Sequence, residues 1–573
     1  MKAQALPKFP PMPRARRRRL PALRALPVLC ALILAGACVA ARATAPVSSQ
    51  TPTQAPAQTP SEGTVWSPAQ RLDAAARAHP VAFLDRIGWG ADAAQLRQLR
   101  QLGATRLLDA QLRPDPDPAL PEPLQQTLDA LPVNAPLRQL IPPLVAQLRE
   151  IRKARKASMG DTGSGADQAG DTQARLKALH QQMNALTRQA MAQQLLLAVY
   201  APDQLQQRLD WFWMNHFNVF HGFIVGPMMA DYQRRVIAPH ALGHFRDLLR
   251  ATMFSPQMLL YLNNAQNARG HINENYAREL MELHTLGVGS GYTQADVTHL
   301  AHALTGLGVD LIDRPVRVRP VWRDLLWKHG LVVFNPARHD SSPQLVLGHT
   351  LEGDSVDEMG QVIDLLDDDP ATARHLSLEL AQYFVADHPD PAMVAAMVRT
   401  WQRSDGDIAA VLRTMFLSPQ FAASLGAPQF KDPMRYVIST VRAGLAGPRI
   451  IRNPQPMLGA LAALGEPLFG RSTPDGYPVG AGAWDGSGAM TTRFRIAQQF
   501  GAGAPMLFGA EPPYLRGAGP LPGQTPAPDL AHSAVYLAAE PGLSQATRQA
   551  LAQAAPRPRW NALWLASPEF MNQ

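Results

Sequence analysis

The sequence predicts a mainly α protein: a multi-helix, bundle-like body, a small β excursion near 315–350, and a Gly/Pro-rich segment near 467–529 that wraps the body. Three observations support that class. Apolar residues recur at three- and four-residue spacing through most of the chain beyond Ser67. The pairs Ser255-Pro256, Ser418-Pro419 and Ser567-Pro568 each close one helical run and open the next, with Ser as N-cap and Pro in the first turn. Only residues 310–353 break the pattern: Val316-Arg317-Val318-Arg319 alternates, and 331–334 and 345–347 are short strand-like runs.

Ahead of the body, residues 1–42 hold nine basic residues and no acid, with an apolar run at 25–41. This reads as a signal peptide over 1–43, cleaved at Ala41-Arg42-Ala43 or Ala35-Gly36-Ala37. The apolar run is at or below the ~17–25 residues of a spanning helix, so a retained anchor is the alternative. The formal charge of +8 falls to −1 without those nine residues, which removes any global pull toward nucleic acid. Both cysteines, Cys30 and Cys38, lie here, so a chain cut after Ala43 has no disulfide, thiolate nucleophile or Cys-bound metal. Leu34-Ala35-Gly36-Ala37-Cys38 also approximates a lipoprotein box, which would put a lipid on Cys38. Contact with a membrane is expected only through such an anchor or lipid, and the expected location is periplasmic or extracellular. The Pro/Thr/Gln-rich residues 44–66 read as a disordered linker, leaving 67–573 as a single large helical domain.

Within that domain Ser67-Pro68 caps a first helix, and 82–112 carries two or three short ones. The prolines of 114–123 stop any helix, and helices resume over 124–156. Residues 157–173, polar and Gly-rich, are expected to be a disordered loop before a long helix over 173–194. Next, Leu205, Leu209, Phe212 and His216 share one apolar stripe, so His216 faces a core. Helices are expected again over 355–425 and 432–464. In the Gly/Pro-rich tail the aromatics Tyr477, Trp484 and Tyr514 are expected to staple it down.

The residues richest in chemistry lie between Trp211 and Gly306. A helix is expected over 273–285, capped by Asn273 and ended by Gly287. Glu274, Arg278 and Glu282 stand four apart, so the arginine can pair with both carboxylates; Asn275, Glu279 and Glu282 form a second stripe, with His284 at the edge of the core face. Such a face is either an ion-paired surface or a cleft lined by carboxylates and imidazoles. In the second case Glu274, Glu279, His284 and His216 are the catalytic candidates, and His216, Glu279, His339 and Asp340 are candidate ligands for a divalent metal. Thr293 and Asp296 form a capping box for the following helix. His299 and His302 are neighbours on that helix, without the HExxH pattern of a chelating pair.

Four phrases carry a family resemblance: Trp213-Met214-Asn215-His216-Phe217, Asn273-Glu274-Asn275-Tyr276-Ala277-Arg278-Glu279-Leu280, His284-Thr285-Leu286-Gly287-Val288 and Gly291-Tyr292-Thr293-Gln294-Ala295-Asp296-Val297. With Ala303–Gly306, 334–340, Gly465-Glu466-Pro467-Leu468-Phe469 and Ser567-Pro568-Glu569-Phe570, the chain from about Ala82 onward resembles the exported bacterial proteins called domain of unknown function 1800. The resemblance implies a helical, exported protein, encoded beside exported sulfatase-like proteins; it implies no activity. Asn215, His216, Asn273, Glu274, Asn275, Arg278, Glu279, His284, His339 and Asp340 fall on the family's motif positions. His299, His302 and Leu307 depart from it, and Leu307 replaces a common Trp.

Two functions compete. One is a metal- or carboxylate-assisted periplasmic hydrolase. The other is a non-catalytic helical scaffold or maturation partner of a co-exported, sulfatase-like enzyme. A carbohydrate binder rests only on the tail's aromatics. The sequence has no P-loop, no GxGxxG after a strand, no GxSxG elbow and no zinc-finger spacing.

Overall fold

Ser67 heads the first helix, Pro68–Ala78, through a capping box in which its side chain accepts from the Gln70 amide and Gln70 reaches back. The computed structural model describes residues 66–116, 118–158, 165–447, 450–509 and 526–572. The signal peptide, the linker, Cys38 and Tyr514 lie outside them. Ser67–Gln573 forms one compact unit, mainly α-helical with a few short antiparallel strands. All three Ser-Pro joints are built as the sequence suggests, the serine side chains accepting from the amides of Met258, Phe421 and Phe570.

The β excursion is two small sheets of three-residue strands. Strands β1 (Leu307–Val309), β2 (Trp327–His329) and β3 (Val332–Phe334) form one antiparallel sheet in the order β1-β3-β2, with Phe334 opposite both Leu307 and Trp327. Strands β4 (Gln344–Val346) and β5 (His349–Leu351) form the second. The alternating run Val316–Arg319 is not a strand. Pro315 and Pro320 bracket it and remove ladder donors at both ends.

Two other expectations change. The helix Gly165–Tyr200 begins inside the stretch read as a disordered loop, 157–173. Extending an existing helix costs less than nucleating one, so the pattern beyond Gln173 propagates backward. The Gly/Pro-rich tail holds a 15-residue helix, Ser487–Gly501, which buries Ile496, Ala497 and Phe500 against the helix Arg557–Leu565.

The centre of the unit is the aromatic helix Gln204–His216, in which eleven of thirteen residues are buried. Beneath it Arg208 donates to the carbonyls of Asp85 and Gly88 and stacks over Tyr383 and Phe384, each 5.0 Å from its guanidinium carbon. Arg86 donates to the carbonyls of Phe384 and Val385. Arg86 through the Phe384 and Val385 carbonyls, and Arg208 through the Tyr383 carbonyl, satisfy orphan carbonyls at the end of the helix Pro370–Phe384. That helix is thereby clamped against the aromatic one.

Candidate functional site

The motif helix is shorter than its sequence pattern. It runs Asn275–Glu282, with Glu274 at the N-cap position and the Asn273 side chain accepting from the Asn275 amide. Its end at Glu282 matters, because Leu283 to Gly287 then form an exit turn in which Gly287 takes φ +87°. His284 is on that turn, not on the helix. It swings inward and is 1% exposed.

The turn brings His284 to His216. Nε2 of His216 is 3.2 Å from the His284 carbonyl oxygen, and the two ring centroids are 6.0 Å apart. Nδ1 of His216 is 2.8 Å from Oε2 of Glu379, whose other oxygen is 3.7 Å from Nε2 of His375. Burial opposes ionisation of Glu379, but His216 and then His375 hold its carboxyl below the usual range. Burial, and then the two neighbouring imidazoles, push His284 well below the usual histidine range. Both its ring nitrogens are buried without a hydrogen-bond partner. Both features disfavour the protonated ring.

Glu279 faces another way. It is half-buried, and burial, then the nearby Glu282, raise its carboxyl above the usual range against the pull of Arg278. The charge of Asp475 adds to that rise. Asp475 arrives on the loop 470–478, which the aromatic helix holds. Asn215 donates to the Tyr477 carbonyl at 2.8 Å and accepts from its amide at 2.6 Å. Asn218 donates to the carbonyls of Arg471 and Thr473. Asp475 accepts from Arg471 and from the Thr473 hydroxyl, and these bonds bring its carboxyl below the usual range despite burial. Burial and the charges of Glu279 and Asp475 push the Tyr261 phenol up to about 12, and its hydroxyl donates to the Ser472 carbonyl.

The other candidates go elsewhere. Glu274 accepts from the Thr298 hydroxyl at 2.7 Å, from Gln294 at 2.8 Å and from Arg278 at 3.2 Å. Those bonds, Thr298 first, hold its carboxyl below the usual range. It fastens its own helix to the helix Gln294–Ala303, whose Thr293–Asp296 capping box is present. Arg278 reaches Glu282 at 3.5 Å, as the spacing implies. Asn275 donates to the Leu262 carbonyl.

The expected ligand set of His216, Glu279, His339 and Asp340 is not assembled. His339 is buried against Glu358 (2.9 Å) and the Thr305 carbonyl, while Asp340 pairs with His302 at 2.7 Å. His299 turns to Gln344. Among the described residues no group of three or more His, Cys, Asp or Glu side chains is arranged to hold a metal ion. The catalytic set divides as well: His216 and His284 meet in a buried cluster, Glu279 is under the charge of Asp475 from the 470–478 loop, and Glu274 is tied down.

Sequence reasoning missed Asn218, Tyr261, His375, Glu379 and Asp475. His375 and Glu379 are four apart on an ordinary-looking helix, a weak signal. Asp475 lies in a segment read only as wrapping.

No curated protein and no solved structure matches this chain. A family model described as "Protein of unknown function (DUF1800)" matches residues 82–572. Its span takes in the aromatic helix, the motif helix, the 470–478 loop and the final Ser-Pro joint, and the chain belongs to that family.

Proposed function

We propose that this protein is an exported, carboxylate-assisted hydrolase in which Glu279 is the general acid and Asp475 its ionised partner. What supports the reading is the setting of two carboxyls: both bear electrostatically on Tyr261, Asp475 bears on Glu279, and their surroundings displace them in opposite directions, Glu279 through burial and Glu282, Asp475 through its bonds to Arg471 and Thr473. Glu279, with burial and like charge around it, retains its proton to higher pH. Asp475, bonded by Arg471 and Thr473, stays ionised. Acid and base roles are assigned by such divergence, since each group is then in the protonation state its task needs. The expectation of export, to the periplasm or beyond, rests on the basic and then apolar residues of 1–43.

The test is a panel of p-nitrophenyl glycosides, esters, phosphates and sulfates, run on the wild type and on Glu279→Gln. The expected result is turnover of at least one substrate class, a bell-shaped pH profile, and a loss of about 10²–10⁴-fold in the variant. No turnover across the panel, or turnover unchanged by Glu279→Gln, counts against the reading.

The second reading is a non-catalytic scaffold or maturation partner of a co-exported, sulfatase-like enzyme. What favours it is how many polar side chains, some of them at motif positions, act as fasteners. Asn264 and Asn267 are buried and bond the carbonyls of Leu304, Leu307 and Ala301, as Asn215 and Glu274 bond their neighbours. A stoichiometric partner in an envelope pull-down, together with an inert panel, would favour it.

A further inference from the structure

Between β1 and β2 the chain runs through a largely exposed connection, residues 314–324, called the arm below. Its base is fixed: Lys328 bridges Asp310 (2.9 Å) and Asp313 (2.8 Å), and Arg138 of the helix Leu137–Ser158 holds Asp313 at 2.7 Å. Beyond that base Arg314, Arg317, Arg319 and Arg323 are all exposed. Among the described residues none of the four guanidiniums makes an ion pair or hydrogen bond; Arg319 alone has a partner, lying over the Trp322 ring at 4.9 Å. The one acid among residues 314–324 is Asp324. At the tip Val321 is 75% exposed, beside the half-buried Trp322. The chain past Arg42 carries a formal charge of only −1, so this cluster is a local feature, not part of a generally basic surface.

We propose that the arm from Arg314 to Asp324 docks on an anionic phospholipid surface. Charge complementarity sets the sign of the partner, since four unpaired guanidiniums within ten residues attract anionic headgroups. Each is worth roughly fivefold in partitioning near an anionic leaflet. The apolar tip selects a lipid surface over a soluble polyanion. Val321 gains nothing from a polysaccharide or nucleic acid, but an aliphatic side chain next to an indole is stable at the headgroup boundary, where Trp concentrates. The arm is too short and its strands too small for it to form a broad protein interface of its own.

The experiment places a local reporter on the arm, so that binding through the N-terminus does not register. In the full chain with Cys30 and Cys38 changed to Ser, Val321→Cys is labelled with an environment-sensitive fluorophore. It is then mixed with vesicles of phosphatidylcholine, alone or with about 30% phosphatidylglycerol. The expected result is a blue shift with the anionic vesicles only, reversed by about 0.5 M salt. Changing all four arginines to Gln should weaken apparent binding at least tenfold, with the fold unaltered by circular dichroism. The proposal is overturned by an equal shift on neutral vesicles, an unchanged response in the arginine variant, or an equal shift with dextran sulfate. No shift on any vesicle overturns it too.

Discussion

At Gly476 the main chain takes φ +69°, and a Cβ there would stand 2.3 Å from the Asn215 carbonyl oxygen. Glycine is required twice over, for the backbone angle and for the close approach. Gly476→Ala is therefore expected to destabilise by about 1–3 kcal/mol or more in chemical denaturation, through release of the loop that carries Asp475. Burial, and then the neighbouring Asp368 and Asp405, raise the Asp367 carboxyl from 3.8 to about 7, and one of its oxygens has no hydrogen-bond partner. Between those two values the folded protein binds the extra proton, so stability is greatest below pH ~4 for this group and falls as pH rises to about 7. Asp367→Asn should flatten that slope and stabilise the protein at pH 8 by ~1–3 kcal/mol, read as denaturation midpoints at several pH values. Residue-scale features were legible unevenly. The apolar stripe put His216 in a core, and it is buried. Nothing local marked Glu379 as its partner, because that contact spans 163 positions and depends on how two helices cross.

Helix joints were the most legible elements, since capping is local chemistry. Ser255→Ala, Ser418→Ala and Ser567→Ala should each cost about 1 kcal/mol in a denaturant titration, and a loss near zero at all three would show that the caps are incidental. Helix ends away from such caps were less legible. The motif pattern continues to Thr285, yet the helix stops at Glu282 because the exit turn buries His284 and Thr285, whose hydroxyl donates to the Leu280 carbonyl. The helix Ser487–Gly501 was masked by glycines on both sides that lower any window average. The run Val316–Arg319 has the alternation of a strand but no neighbouring strand to pair with, and pairing is a tertiary property.

For the whole molecule, the chain order scatters what the fold gathers. Loop 470–478 lies about 200 positions beyond the motif helix, and the side chains of Asn215, Asn218 and Tyr261 fix it in place. A family whose description supplies no activity leaves the assignment to chemistry. That chemistry separates two glutamates five residues apart: Glu274, saturated by Thr298, Gln294 and Arg278, and Glu279, raised by burial and by the charges of Glu282 and Asp475. The most direct test compares Glu274→Gln with Glu279→Gln for melting temperature and for turnover per folded molecule on the responsive substrate. Glu274→Gln is expected to lower the melting temperature and preserve turnover, and Glu279→Gln to preserve the melting temperature and reduce turnover about 10²-fold or more. Equal turnover in both variants, or loss confined to Glu274→Gln, would contradict that expectation.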